Sequence, residues 1–295
     1  MEFAFNYSPL LAELVREGLL RVDRFKCPAW PDLLLEARRT LPIYVHFPLL
    51  IGSGGGMPID AERHAPVDLE RLSDLLEMSG TPLINTHLMP APGDYPGIPP
   101  ESRDPRHIQQ VISGALRDLE PLIRRFGAER VLVENIILEP MWLALATMPE
   151  VMAELLERSG CGFLFDLSHA RMAAAGLGID PRAYADSLPV EHIREIHVTG
   201  IQMMAGALLE RVRAATSAEG FGGLLIGKPM DHLPMTDADW TELEWMMGRI
   251  RQGAWPTPWV VACETGGVGG FWEVIMDRAA YLDQVPRMEM LVRFE

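Results

Sequence analysis

Short apolar runs rich in β-branched and aromatic residues recur along the chain, and most precede a segment with helical spacing. This pattern predicts strands over residues 3–8 (FAFNYS), 21–26 (RVDRFK), 42–47 (PIYVHF) and 82–88 (PLINTHL). Four more follow at 130–136 (RVLVENI), 162–167 (GFLFDL), 194–200 (REIHVTG) and 259–265 (WVVACET). Between them, residues 107–127 and 149–160 read as amphipathic helices. In the second, Val151, Met152, Leu155 and Leu156 share a helical face, and Gly160 fits a C-cap. A third helix, over 236–250, opens with Thr236 and Asp239 at capping-box spacing.

Eight strands alternating with helices predict a parallel sheet, and eight is the number that closes a barrel. The expected fold is therefore α/β, a single (β/α)8 TIM barrel forming one domain over residues 1–295. No GxGxxG follows the first strand, which argues against an open dinucleotide-binding sheet. Two loops interrupt the pattern. Gly52 and Gly54–Gly56 lack the Lys-Ser/Thr of a nucleotide-binding loop and read as a flexible connection. Residues 89–105 carry six prolines and no periodicity, which suggests a substrate-covering loop.

Composition narrows the chemistry. A net charge of −15 repels phosphate backbones, so nucleic acid is a disfavoured partner. The only lysines are Lys26 and Lys228. Cys27, Cys161 and Cys263 form no CxxC and read as buried free thiols, as expected of a reducing cytoplasm. No signal-peptide pattern and no long apolar run is visible, so a cytoplasmic chain without a membrane partner is expected.

Barrel enzymes carry their chemistry at the C-terminal ends of the strands. The predicted strands end near His46, His87, Glu134, Asp166 with His169, His197 and Glu264, and the loop before the last strand adds Asp231 and His232. From His46 to Glu264 the steps are 41, 47, 32, 31 and 67 residues, the last covering two βα units. Imidazole nitrogen and carboxylate oxygen suit iron, manganese or zinc, and the absence of thiolates argues against a structural zinc site. Each residue also has a plain structural role open to it. A strand-end histidine can be a hydrogen-bonded structural group, Asp166 can cap the next helix, Glu134-Asn135 can pair with an arginine, and Asp231-His232 can be solvated. In a closed barrel, however, these ends face one cavity, where crowded carboxylates need a shared cation. His64, His107 and His192 flank helices and read as surface. Lys26 ends the second strand, where an aldolase would hold a Schiff-base lysine, but the wealth of histidine and carboxylate argues against that chemistry.

At these residues the chain resembles the xylose isomerase-like TIM-barrel superfamily. The superfamily pattern is Glu ending strand five, Asp-x-x-His after strand six, His on strand seven and Glu on strand eight. Glu134, Asp166/His169, His197 and Glu264 match it in order and spacing. Within it, the stretch SGCGFLFDLSHARMAAAGLGIDPRAYADSLPVEHIREIHVTG, with the later DHLPMTDADW and PWVVACETGG, is similar to the multinuclear non-haem iron-dependent oxidative enzymes of the methanobactin-biosynthesis oxidase type. The chain departs from that group at His169, where Asn is usual, at Ile201, where a second His is frequent, and at Lys228-Pro229-Met230, where an Asp-x-His precedes the Asp-His pair.

The resemblance implies an oxidative enzyme acting on a peptide or small thiol-containing substrate, with an accessory protein to deliver it. It implies two or three metal ions, iron first and zinc or manganese as alternatives. Their ligands would be His46, His87, Glu134, Asp166, His169, His197, Asp231, His232 and Glu264, with Glu134, Glu264 and His169 also in catalytic roles. Two other branches remain open: a divalent-metal sugar isomerase or epimerase using Glu134 and Glu264 as acid and base, and an endonuclease IV-type zinc phosphodiesterase.

Overall fold

The computed structural model of the chain describes residues 1–53, 67–215 and 226–294. All eight predicted strands form, each shorter than the apolar run that announced it. In chain order the strands are β1 (Glu2–Asn6), β2 (Arg24–Pro28), β3 (Ile43–His46), β4 (Leu49–Ile51), β5 (Ile84–Leu88) and β6 (Val131–Glu134). They continue with β7 (Gly162–Asp166), β8 (Ile193–Val198), β9 (Gly200–Met203), β10 (Pro229–Leu233) and β11 (Val260–Cys263). β4, β9 and β10 are additional to the prediction. The chain divides into two compact units, one of Met1–Cys27, Asp32–Ile43 and His197–Glu295, the other of Pro28–Pro31 and Tyr44–Ile196.

In the first unit β1 pairs in parallel with both β2 and β11, placing Asn6 opposite Lys26 and Phe5 opposite Cys263. Phe3, Ala4 and Phe5 are all buried, as expected for a parallel strand covered on both faces. The Phe5 ring meets Tyr281 edge-on at 5.7 Å. β9 and β10 form an antiparallel pair whose register slips between Met230 and Leu233. Residues 229–233 look like a loop in the sequence because Pro229 and Pro234 bracket them, yet they form a short edge strand, where proline is tolerated. Gly200 makes the pairing possible, since a Cβ there would lie 2.1 Å from the Pro234 carbonyl oxygen. The predicted capping box is present at the helix Asp237–Arg251, with Thr236 and Asp239 bonding each other's backbone.

In the second unit β4, β5, β6 and β7 run parallel in that order. The helix Pro105–Phe126 starts at its cap Asp104 and buries Val111, Ala115, Leu119 and Leu122, the stripe its period predicts. The helix Pro149–Ser159 stops at Gly160 in the left-handed region, φ 71°, as anticipated. The proline-rich segment is anchored at several points. Leu143 N–H bonds the Pro90 carbonyl and Ala144 N–H that of Pro100, both at 2.8 Å. The Tyr95 hydroxyl donates to the Gly52 carbonyl at 2.7 Å, and Ile98 packs with Val111, Leu143 and Leu145. Gly52, with φ 84°, is therefore a fixed turn, while Gly54–Gly56 lie outside the described residues. Among the described residues no helix is long and apolar enough to cross a membrane.

Two glycines should respond oppositely to the same substitution. Gly200→Ala forces a methyl against backbone and is expected to cost about 1–3 kcal/mol. Gly248, inside a helix with open space where its Cβ would be, should gain about 0.5–1 kcal/mol as alanine. Urea unfolding of the two variants checks both signs.

Candidate metal centre

In the second unit the strand register assembles the first cluster. β5 pairs with β6 so that His87 lies opposite Glu134. The His87 Nε2 is 3.0 Å from Glu134 Oε2 and 3.2 Å from His46 Nε2, with His46 Nε2 3.8 Å from the same carboxylate oxygen. His87 Nδ1 lies 3.1 Å from the Leu49 carbonyl, so the ring donates its proton there and presents a lone pair at Nε2. His46 is placed by Asn85. That amide accepts from Phe47 N–H at 2.7 Å, donates to the Phe47 carbonyl at 2.9 Å, and has its Nδ2 3.3 Å from His46 Nε2. Metal–nitrogen bonds of about 2.0–2.1 Å at 90–109° would separate two ligand atoms by about 2.9–3.4 Å. The His46–His87 and His87–Glu134 separations fall in that range and the His46–Glu134 separation of 3.8 Å lies just beyond it, so these three side chains form a candidate site for one cation.

Asp166 and His169 stand beside this cluster. Asp166 ends β7 and caps the following helix, accepting His169 N–H on Oδ1 at 2.7 Å. The capping role is thus real, and it also fixes the carboxylate. Asp166 Oδ2 is 3.9 Å from His169 Nε2, and Glu134 Oε1 is 3.4 Å from His169 Nδ1. Asn135 locks the arrangement: its side chain exchanges two hydrogen bonds with the Asp166 backbone, at 2.8 and 2.9 Å, and its carbonyl accepts from His169 Nδ1 at 2.8 Å. The Asn135 amide is thus engaged by Asp166, not by an arginine. Glu134 addresses His46 and His87 through one oxygen and His169 through the other.

The first unit carries the second cluster. His197, buried on β8, has its Nδ1 3.0 Å from Glu264 Oε1, and Glu264 follows the last residue of β11. His232 Nδ1 is 3.1 Å from the Glu264 carbonyl and 3.7 Å from its Oε2, while His232 Nε2 is 3.8 Å from Asp231 Oδ1. Asp231 and His232, expected in a loop, lie on β10 at its register slip. His232 adopts φ 57°, a conformation uncommon for a side-chain-bearing residue and concentrated at functional sites. Its ring meets Trp272 edge-on at 5.9 Å. The Glu264 carbonyl also accepts from the Asn6 amide at 2.7 Å.

Lys26 is the residue that sequence reasoning undervalued. It is buried at the end of β2 and forms an ion pair with Glu264 Oε1. Burial alone would raise the Glu264 carboxyl, but the adjacent His197 and Lys26 outweigh it and hold the group well below the usual carboxylate value. Burial pushes the neighbouring thiols of Cys27 and Cys263 up to about 12. Of the histidines read as surface, His192 is partly exposed, His107 bonds Ser102 at 2.6 Å, and His64 lies outside the described residues.

Asn85 and Asn135 hold candidate ligands in place without being candidates themselves. Replacing either with alanine is expected to weaken metal binding about 10–100-fold, measured by competition with a coloured chelator.

A family model described as RiPP precursor modification enzyme MbnB/TglH/ChrH matches residues 28–219, which include His46, His87, Glu134, Asp166, His169 and His197 and end before Asp231, His232 and Glu264. A UPF0276 protein of Anaeromyxobacter sp. (strain Fw109-5) is 30% identical over 188 residues, covering 60% of this chain and 61% of that protein. The chain thus spans about three fifths of the length of that curated relative. Among solved structures, endonuclease IV from Thermus thermophilus superposes with a TM-score of 0.53 at 15% identity, over 100% of both chains. An IOLI protein with a bound zinc atom gives 0.57 at 12% identity, and a D-psicose 3-epimerase 0.53 at 12%. Each of these two likenesses covers 100% of this chain and 99% of the other. The fold is thereby the α/β TIM barrel. With its match running through most of its strands and six of its candidate ligands, the chain belongs to the RiPP precursor modification enzyme family MbnB/TglH/ChrH.

Proposed function

We propose that the chain is a multinuclear iron-dependent oxidative enzyme that modifies a peptide or a small thiol-containing substrate. The observation that carries this reading is the His46–His87–Glu134 cluster, whose ligand atoms lie 3.0–3.8 Å from one another. Asp166 Oδ2 and His169 Nε2, 3.9 Å apart, are the candidate donors for a further ion, while the second Glu134 oxygen meets His169 on its Nδ1 side. His197 and Glu264, 3.0 Å apart, offer a further pair of donors, with His232 and Asp231 alongside. All the donors are imidazole or carboxylate, a set that suits iron and leaves manganese or zinc as alternatives.

Bound ferrous ions would supply electron transfer to dioxygen, the oxidant, and a Lewis-acid position for a substrate thiolate. The chain's own contribution is positional. Leu49, Asn135 and Glu264 carbonyls each face the Nδ1 of a histidine, His87, His169 and His232, so that Nε2 is the coordinating atom in all three. The family's description supports a peptide precursor as substrate, and an accessory delivery protein is part of the same proposal. The net charge of −15 disfavours nucleic acid as the partner.

The test uses iron-loaded protein, air and a cysteine-containing peptide, with product followed by mass spectrometry. A mass change that requires dioxygen is expected. His46→Ala and His87→Ala should each lower iron content and reduce turnover by about 100-fold or more. Unchanged iron content in both variants would remove the two histidines from the ligand set. Ketose epimerisation with a single manganese, or cleavage of a phosphodiester with zinc, would replace the oxidative reading.

A further inference from the structure

We propose that Lys26 is a resident cation for Glu264: its ammonium neutralises this buried carboxylate when no metal ion is bound, and an ion taken by Glu264 with His197 must displace it. The inference rests on Glu264 being a ligand, as proposed above, and goes beyond it by assigning a role to a residue outside the ligand set.

The pairing is built by strand register, not by chance contact at a surface. β1 lies between β2 and β11, with Asn6 opposite Lys26 and Phe5 opposite Cys263, so Glu264 follows directly on the residue paired with Phe5. Asn6 donates to the carbonyls of Glu264 and Gly266, at 2.7 and 3.1 Å, which fixes the backbone from which the carboxylate projects. Lys26 is 5% exposed and Glu264 2%, so solvent cannot screen either charge. Lys26 Nζ and His197 Nδ1 both address Oε1, whereas His232 faces Oε2. A cation entering this set therefore meets a carboxylate oxygen already engaged by an ammonium.

The consequence is a graded metal affinity. At the His46–His87–Glu134 cluster the carboxylate is met by imidazoles. At Glu264 the ion must exchange with a fixed positive charge and tolerate it close by. The Glu264 set should accordingly fill last.

Zinc titrated by calorimetry into chelator-treated protein, with melting curves of the same samples, tests this. Wild-type protein is expected to show a tight and a weaker class of sites. In K26M the weaker class should tighten about tenfold or more, because a neighbouring positive charge is gone. The metal-free K26M protein should melt about 5–10 °C lower, since the buried Glu264 carboxylate loses its ammonium partner and keeps only the imidazoles beside it. K26R should follow wild type. The double variant K26M/E264Q should recover the melting temperature and lose the weaker class. If K26M does not fold without metal, zinc is expected to restore it, and failure of both zinc and the E264Q change to do so would overturn the assignment. Curves for K26M that superimpose on wild type would overturn it as well, leaving the tight class and the ligand reading intact. Absence of zinc uptake by both proteins would overturn both readings.

Discussion

Two imidazole lone pairs and a carboxylate held within 3.0–3.8 Å of one another require positive charge among them. Much of the second unit is arranged to impose that crowding. The parallel register of β5 and β6 sets His87 against Glu134, and Asn85 and the Leu49 carbonyl fix the two rings. A single proton answers part of the demand, at one nitrogen. A metal ion answers it for all three side chains together, which is why the cluster reads as a metal centre and not as a buried hydrogen-bond network.

The first unit meets the same demand differently. There the carboxylate of Glu264 is compensated by Lys26, and the histidines His197 and His232 are disposed around it. The strained backbone at His232 and the register slip in β10 indicate that this placement is maintained against local preference. The close approach at Gly200 keeps β9 and β10 paired and so carries Asp231 and His232 to their positions.

Much of this was legible in the sequence, for identifiable reasons. Strands buried on both faces appear as continuous apolar runs, and the first polar residue after each run marks a strand end, which is how His46, Glu134 and Asp166 stand out. The helix Pro149–Ser159 and the capping box at Thr236 are encoded within a few residues and were readable locally. What was not legible depends on register between distant segments. Lys26 and Glu264 meet only because β1 pairs with both β2 and β11. Asn85 and Asn135 look like ordinary strand-end polar residues until the neighbouring backbone is in place. β10 was hidden because Pro229 and Pro234 signal a loop, and the ladder tolerates them only at an edge.

The fold hosts unlike chemistries, as an epimerase and an endonuclease among its structural neighbours illustrate, so function has to be argued from the donor sets. These donor sets are proposed to hold more than one redox-active ion. The most direct measurement is elemental analysis of chain purified without added metal and without oxygen, paired with a visible spectrum after admission of air. Two or more iron ions per chain with charge-transfer absorption are predicted. A single manganese per chain, or a metal-free protein in which His46→Ala and His87→Ala change nothing, would contradict the account.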